Sequence, residues 1–366
     1  MILKVTKKDL VDAVNVVQKA VAAKSPLPIL EGILLETKDQ SLVLRGTDVD
    51  VSMETSFPTE VMEDGKIVVD SRMFGDIIRK LPNNIITLET ADNNTITISA
   101  EKSVFNLLYM DPTDFPVFPE VEDSVSFSMT QNSLRGMVRK VLSSVATDDI
   151  RPILMGMLFE ANNGQITMVG LDGYRMALVT EETDSEADIR RVISGKTLRD
   201  LLSVTADSED PVTMSFTENH VLIEIGNTRI ISRLLQGEYL KYQNMIPDYS
   251  KLTVTVDKSE FRDAVERASV LANEGTSNLI KFHFEENNII ITSNSKMGKL
   301  REEVYGEMSG ESLEIAFNAK YIIDILKSMD EEKLVIDMTS TISPCIIRPE
   351  DNDKSLYLVL PIRITR

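Results

Sequence analysis

The chain has 366 residues, 42% of them hydrophobic and 27% charged, and a formal net charge of −19. It holds enough apolar material for two or three folded domains at the usual 100 to 200 residues per domain. One cysteine, Cys345, and two histidines, His220 and His283, exclude a disulfide framework and Cys/His zinc sites. No apolar run reaches the roughly 18 residues needed to span a bilayer, and Met1-Ile2-Leu3-Lys4-Val5 does not read as a secretion signal, so a cytoplasmic location without a membrane partner is expected.

In chain order, Val5-Thr6-Lys7-Lys8-Asp9-Leu10 and Ala13-Val14 read as a short strand, a polar cap and an amphipathic helix. The pattern returns at Met129-Thr130-Gln131-Asn132-Ser133-Leu134 with Met137-Val138, and at Val256-Asp257-Lys258-Ser259-Glu260-Phe261 with Ala264-Val265. Thr6, Thr130 and Asp257 stand at the N-cap, where a side-chain oxygen accepts an otherwise unpaired helix N–H. Farther along, Ile29-Leu30-Glu31-Gly32-Ile33-Leu34-Leu35-Glu36 matches Ile153-Leu154-Met155-Gly156-Met157-Leu158-Phe159-Glu160 at an offset of about 124, with Leu279 to Glu285 as a looser third copy. Gly46-Thr47-Asp48 matches Gly170-Leu171-Asp172 in the same register.

A second helix follows in each copy. Arg72, Lys196 and Lys320 are equivalent there, and Phe74/Ile78, Leu198/Leu202 and Ile322/Leu326 supply a buried face at i, i+4. β-Branched strands come next: Ile85 to Leu88 and Thr95 to Ser99, Val212 to Phe216 and Val221 to Ile225, Leu334 to Met338 and Cys345 to Ile347. The expectation is an α+β chain of three repeated domains, 1–123, 124–248 and 249–366, each built of two strand-helix-strands halves.

Charge separates by element. The helical stretches, taken to include Lys19 and Lys24, carry seventeen Lys and Arg against eight Asp and Glu, so they sum to +9 and the rest of the chain to −28. A cationic helix face would meet nucleic-acid phosphates without reading sequence. Ordinary solvated helices account for the same excess.

Enzyme motifs fail. Gly195-Lys196-Thr197 has Arg190 where a phosphate-binding loop needs its first glycine. Asp48-Val49-Asp50 and Asp148-Asp149 read as solvated turns before they read as Mg²⁺ ligands. Three readings stand at this point: a protein that holds DNA through phosphate contacts on its helix side, a repeat adaptor that binds only proteins, and a metal-dependent phosphoesterase. No catalytic residue, metal or organic cofactor is expected.

Several motifs in order resemble one family, the bacterial sliding clamp, the beta subunit of replicative DNA polymerase III. They are Pro26-Leu27-Pro28-Ile29-Leu30, Asp114-Phe115-Pro116, Leu171-Asp172-Gly173-Tyr174-Arg175-Met176, Phe317-Asn318 and Leu358-Val359-Leu360-Pro361-Ile362-Arg363. The resemblance covers the whole chain. It implies a non-catalytic processivity factor: a head-to-tail homodimer whose helices line a ring around double-stranded DNA, with the sheets outside. Its implied partners are the DNA polymerase catalytic subunit, the clamp loader and other proteins with clamp-binding motifs.

Carried over position by position, the resemblance implies DNA contacts at Lys24, Arg72, Arg79, Lys196 and Arg199. It implies a partner-peptide groove of Arg151, Leu154, Leu171, Gly173, Tyr174, Arg175, Met176, Leu240, Asn244, Met245, Asn318, Tyr321, Ile342, Leu358, Leu360 and Ile362. It also implies a dimer seam at Phe105, Lys102, Val270 and Leu271, with Glu302, Glu303 and Glu307 opposite Lys102. Ordinary helix core is the competing reading of Val270 and Leu271, and a plain hairpin turn that of Asp172-Gly173. Two positions depart from the family: Leu240 stands where proline is usual and Tyr174 where histidine is common, which leaves the groove's peptide preference open.

Overall fold

The computed structural model describes residues 1–122, 124–273 and 278–363. The boundary expected after residue 123 and the last residue, 366, lie outside them. Among the described residues there are six α-helices: α1 (Lys7–Val17), α2 (Ser71–Lys80), α3 (Gln131–Leu142), α4 (Gly195–Val204), α5 (Lys258–Ala272) and α6 (Ala319–Ser328). The caps read from the sequence form. Thr6 Oγ1 accepts the Asp9 N–H, Thr130 Oγ1 that of Ser133, and Asp257 Oδ1 that of Glu260.

The chain divides into two compact units, Met1–Leu134 with Arg199–Leu234, and Arg135–Leu198 with Leu235–Arg366. This division falls inside α3 and α4, because strand pairing joins neighbouring repeats. In the first unit a thirteen-stranded sheet pairs Val51–Pro58 of repeat one with Thr228–Arg233 of repeat two. In the second, a nine-stranded sheet pairs Arg175–Glu182 of repeat two with Ser355–Val359 of repeat three, beside a separate four-stranded sheet. The first unit's core packs Leu10, Val14, Phe74 and Ile78 from α1 and α2 against Leu35, Leu44, Leu88 and Ile98 of the strands.

The repeats reproduce small contacts as well as large ones. Lys7 Nζ, at the start of α1, donates to the Leu81 carbonyl beyond α2 at 2.5 Å, and Lys258 Nζ, at the start of α5, donates to Met329 O beyond α6 at 2.8 Å. A cation at a helix C-terminus satisfies unpaired carbonyls and opposes the helix dipole. In repeat two a glutamine stands there instead, and Gln131 Oε1 accepts the Ala206 N–H at 2.7 Å.

Two expectations are corrected. Leu202 is only half-buried, and Leu201 takes the buried position on α4, because the helix turns Thr197, Leu198 and Leu201 inward. Lys19 and Lys24 lie beyond the end of α1 at Val17, where the chain tightens into turns toward the short helix Pro28–Glu31. The helices therefore carry fifteen Lys and Arg against the same eight acids.

Candidate partner groove, cationic face and open sheet edges

The groove residues all belong to the second unit. Strands Gln165–Leu171 and Arg175–Glu182 are joined by a hairpin in which Gly173 has φ +91°, a conformation natural to glycine. Asp172 Oδ1 fixes the turn by accepting the N–H groups of Tyr174 and Arg175, each at 2.9 Å. The plain turn is present, and Leu360 N–H donates to the Tyr174 carbonyl at 2.8 Å, holding the C-terminal stretch against it.

Leu154, Leu171, Met176 and Leu358 are buried in one apolar cluster, and Leu240 and Met245 pack against it half-buried. Above the cluster, Arg151, Leu154, Gly173 and Tyr174 line a cavity of about 280 Å³. Ile342 and Ile362 line a second, of about 630 Å³, and Ile362 N–H donates to Ala316 O at 2.8 Å. The groove offers an apolar floor under an exposed aromatic, the pattern of sites where few residues carry most of the binding energy. Tyr174 is 61% exposed.

Arg175 is buried and committed to the protein. Its Nε donates to Asp172 Oδ2 at 3.0 Å, its Nη1 to Asp324 Oδ2 at 2.7 Å, and its guanidinium lies 4.5 Å from the centre of the Tyr321 ring. Tyr321 in turn stacks on Tyr174, with centroids 6.3 Å apart. Burial, helped by the Asp172 carboxylate, pushes the Tyr321 hydroxyl up from its ordinary value. Asn318 caps α6, its Oδ1 accepting the Lys320 N–H at 2.9 Å, and Asn244 is exposed beside Met245.

Sequence reasoning missed the groove's supports. Tyr239 and Tyr242 bracket Leu240 and are both buried, with Tyr239 Oη donating to Val169 O at 3.2 Å and Tyr242 Oη to Glu160 Oε2 at 2.7 Å. They hold Leu240 against the cluster without a proline. Asp324 was missed too; its signal was the spacing of three from Tyr321 on one helix face.

All five expected DNA contacts lie at the surface. Lys24, Arg72, Lys196 and Arg199 are exposed. Arg79 is exposed but already bonded to Asn15 Oδ1, Gln18 Oε1 and Asp76 Oδ1 at 3.2, 2.9 and 3.0 Å. Other helix cations are matched by acids: Arg139 and Lys140 by Asp330 and Glu331, Arg267 by Glu302 and Lys327 by Glu266.

Two of the open strand edges carry residues of the expected seam. Within the first unit, Ser103–Met110 pairs along its length with Thr95–Ala100, but on its other side only Tyr109 and Met110 pair. The open part exposes Val104, Phe105 and Leu108, next to exposed Lys102. Within the second unit, Gly298–Tyr305 is the last strand of the four-stranded sheet. Nearby on α5, Val270 is 67% exposed and Leu271 half-buried, so Val270 is no part of the helix core. Arg267 donates to both Glu302 oxygens, at 2.8 and 2.9 Å, and holds that carboxyl below its usual range; Arg301, donating to Glu303 Oε1, and Asn288, donating to its Oε2, lower Glu303 likewise, while Glu307 is exposed.

Among the described residues no group of three or more His, Cys, Asp or Glu is placed to hold a metal ion, and no helix is long and apolar enough to cross a membrane.

Comparison with known proteins matches this arrangement over the whole chain. Residues 1–119, 128–241 and 243–363 match the N-terminal, central and C-terminal domain models of the DNA polymerase III beta subunit. The beta sliding clamp of Halalkalibacterium halodurans is 34% identical over 368 residues, covering 96% of this chain and 97% of the relative. That of Staphylococcus aureus is 32% identical, covering 94% of each. Crystal structures of a DNA polymerase sliding clamp from Bacillus subtilis (31% identity, TM-score 0.96) and a putative DNA polymerase III beta subunit from Eubacterium rectale (32%, 0.95) align over 100% of both chains. Three successive domain matches, full-length relatives above 30% identity and the shared fold place the chain in the DNA polymerase III beta-subunit family, the bacterial DNA sliding clamps.

Proposed function

We propose that the protein acts as a head-to-tail homodimeric ring that encircles duplex DNA and tethers the replicative polymerase and other partners through the groove around Tyr174. Membership of the sliding-clamp family carries this reading. The exposed cations Lys24, Arg72, Lys196 and Arg199 support sequence-independent contact with phosphates. The open edges at Ser103–Leu108 and Gly298–Tyr305 support self-association, since an unpaired edge is a ready template for another strand. The seam then draws on Phe105 and Val270 more than on Lys102, since of its three expected partners Glu302 and Glu303 are already engaged and Glu307 is left.

The deciding experiment loads the protein onto nicked circular DNA with a clamp loader and then linearises the circle. Retention on the circle with loss after cutting is expected of an encircling ring. Equal retention on both forms would mean surface binding and end the proposal.

The groove is tested separately by fluorescence anisotropy of a short peptide ending in a leucine-phenylalanine pair. Replacing Tyr174 and Leu360 together by alanine is expected to weaken binding by at least about tenfold, the usual scale for removing central anchors. An unchanged affinity would place the peptide elsewhere.

A further inference from the structure

The frame of the groove's first cavity is built twice. In the second unit, Ala146 N–H donates to Leu154 O at 3.0 Å and Asp172 N–H to Arg175 O at 3.2 Å. In the first unit, Ala22 N–H donates to Leu30 O at 3.1 Å and Asp48 N–H to Val51 O at 3.1 Å. The turn is copied to its side chain: Asp48 Oδ1 accepts the N–H groups of Asp50 and Val51 at 3.1 and 2.8 Å, as Asp172 Oδ1 does for Tyr174 and Arg175. The two frames lie about 124 positions apart in sequence.

The copy departs from the groove where a ligand would touch it. Val49 stands in place of Gly173 and keeps its backbone, with φ +80° against +91°. A β-branched residue in that region is a genuine outlier. A side chain added at Gly173 would meet nothing within 4 Å, and Val49 is correspondingly 51% exposed. Leu27, in place of Arg151, is 58% exposed.

The floor differs as well: Thr47 and Ser52 replace Leu171 and Met176 and bond to each other at 2.8 Å, so less apolar surface is available to an anchor. The rim changes sign. Exposed Lys24 replaces Asp148, and Arg233, at 3.8 Å from Asp50, is also exposed.

We infer that Leu27 and Val49 form a second, weaker docking site on the first unit for a short apolar partner segment flanked by acidic residues. The inference rests on reading the frame around Gly173 as a peptide site. An exposed apolar pair on a strained, duplicated frame supplies the contact, and Lys24 and Arg233 select the flanking charge. The polar floor makes the site at least about tenfold weaker than the groove, the loss expected when one large side chain goes unburied.

The test uses the full-length protein with ¹³C-labelled Leu and Val methyls, titrated with N-acetylated, C-amidated Asp-Leu-Phe-Asp. Saturable shifts of the Leu27 and Val49 methyls are expected, unaltered in Tyr174→Ala. The remaining Val49 shift should vanish in Leu27→Ser, and the remaining Leu27 shift in Val49→Gly. Both variants keep the fold, since Leu27 is exposed and Gly173 shows glycine in the same turn. Lys-Leu-Phe-Lys should bind there at least about tenfold less well. Silent Leu27 and Val49 methyls, or methyls moved by duplex DNA but not by the peptide, would overturn the inference. Leu154 and Leu358 report the groove independently: if they shift alone, the groove reading survives and this inference does not, and if they alone stay silent, the groove reading fails.

Discussion

Arg175→Ala is expected to destabilise the second unit by about 3 kcal/mol, the scale on which removing one partner of a buried ion pair leaves an uncompensated charge. Arg175 is 8% exposed on its side chain, Asp172 15% and Asp324 26%, so the two carboxylates would face a vacated, poorly solvated space. Asp172 retains the Tyr174 and Arg175 N–H groups, whereas Asp324 loses its 2.7 Å bond. Tyr321 loses the guanidinium on its ring, and with it part of the support for Tyr174.

The cause can be separated from lost packing. Arg175→Met keeps much of the volume, and adding Asp324→Leu removes the stranded carboxylate. The double variant should recover most of the lost stability, while Arg175→Lys should recover little because a single ammonium cannot reproduce the planar fork. Hydrogen exchange at amides 171–176 and urea unfolding provide the measurements. A loss under about 0.5 kcal/mol would mean that water already compensates the pair.

Glycine substitutions should fall in a definite order. At Gly46 an added Cβ would lie 2.4 Å from the Val17 carbonyl oxygen and 2.9 Å from Val21 Cγ2, at the end of α1. The equivalent Gly170 is looser, with the Val141 carbonyl oxygen at 2.8 Å. Backbone cannot rotate aside as a side chain can, so the helix must move off its sheet. Gly46→Ala is expected to cost about 2–3 kcal/mol and Gly170→Ala less.

Gly136, in the interior of α3, has nothing within 4 Å of an added Cβ. There alanine should stabilise by about 0.5–1 kcal/mol through helix propensity. Thermal unfolding of the three variants checks the ranking, and a Gly46 variant as stable as the Gly136 variant would refute the close approach of helix and strand.

Much of the site was legible because its features are local or repeated. Thr6, Thr130 and Asp257 announce their helices through chemistry confined to three residues, and Asp172-Gly173 announces its turn. The duplication made Gly46 and Gly170 recognisable as one position. Leu154, Leu171 and Met176 were implied by the family resemblance and not by residue type, and the fold buries all three in one apolar cluster.

What the sequence determined by itself was therefore the triplicated α+β pattern, the caps and turns, and the apolar periodicity of each helix, all set by short-range backbone and side-chain preferences. Only the tertiary structure decided which edges meet, that Val51–Pro58 pairs with Thr228–Arg233 and Arg175–Glu182 with Ser355–Val359, because every open strand edge offers the same donors and acceptors to any partner. It also decided which charges remain available. Arg79 and Arg175 look alike as guanidinium groups in the sequence, but folding brings Asn15, Gln18 and Asp76 to the first and encloses the second between Asp172 and Asp324, leaving Lys24 and Arg72 exposed.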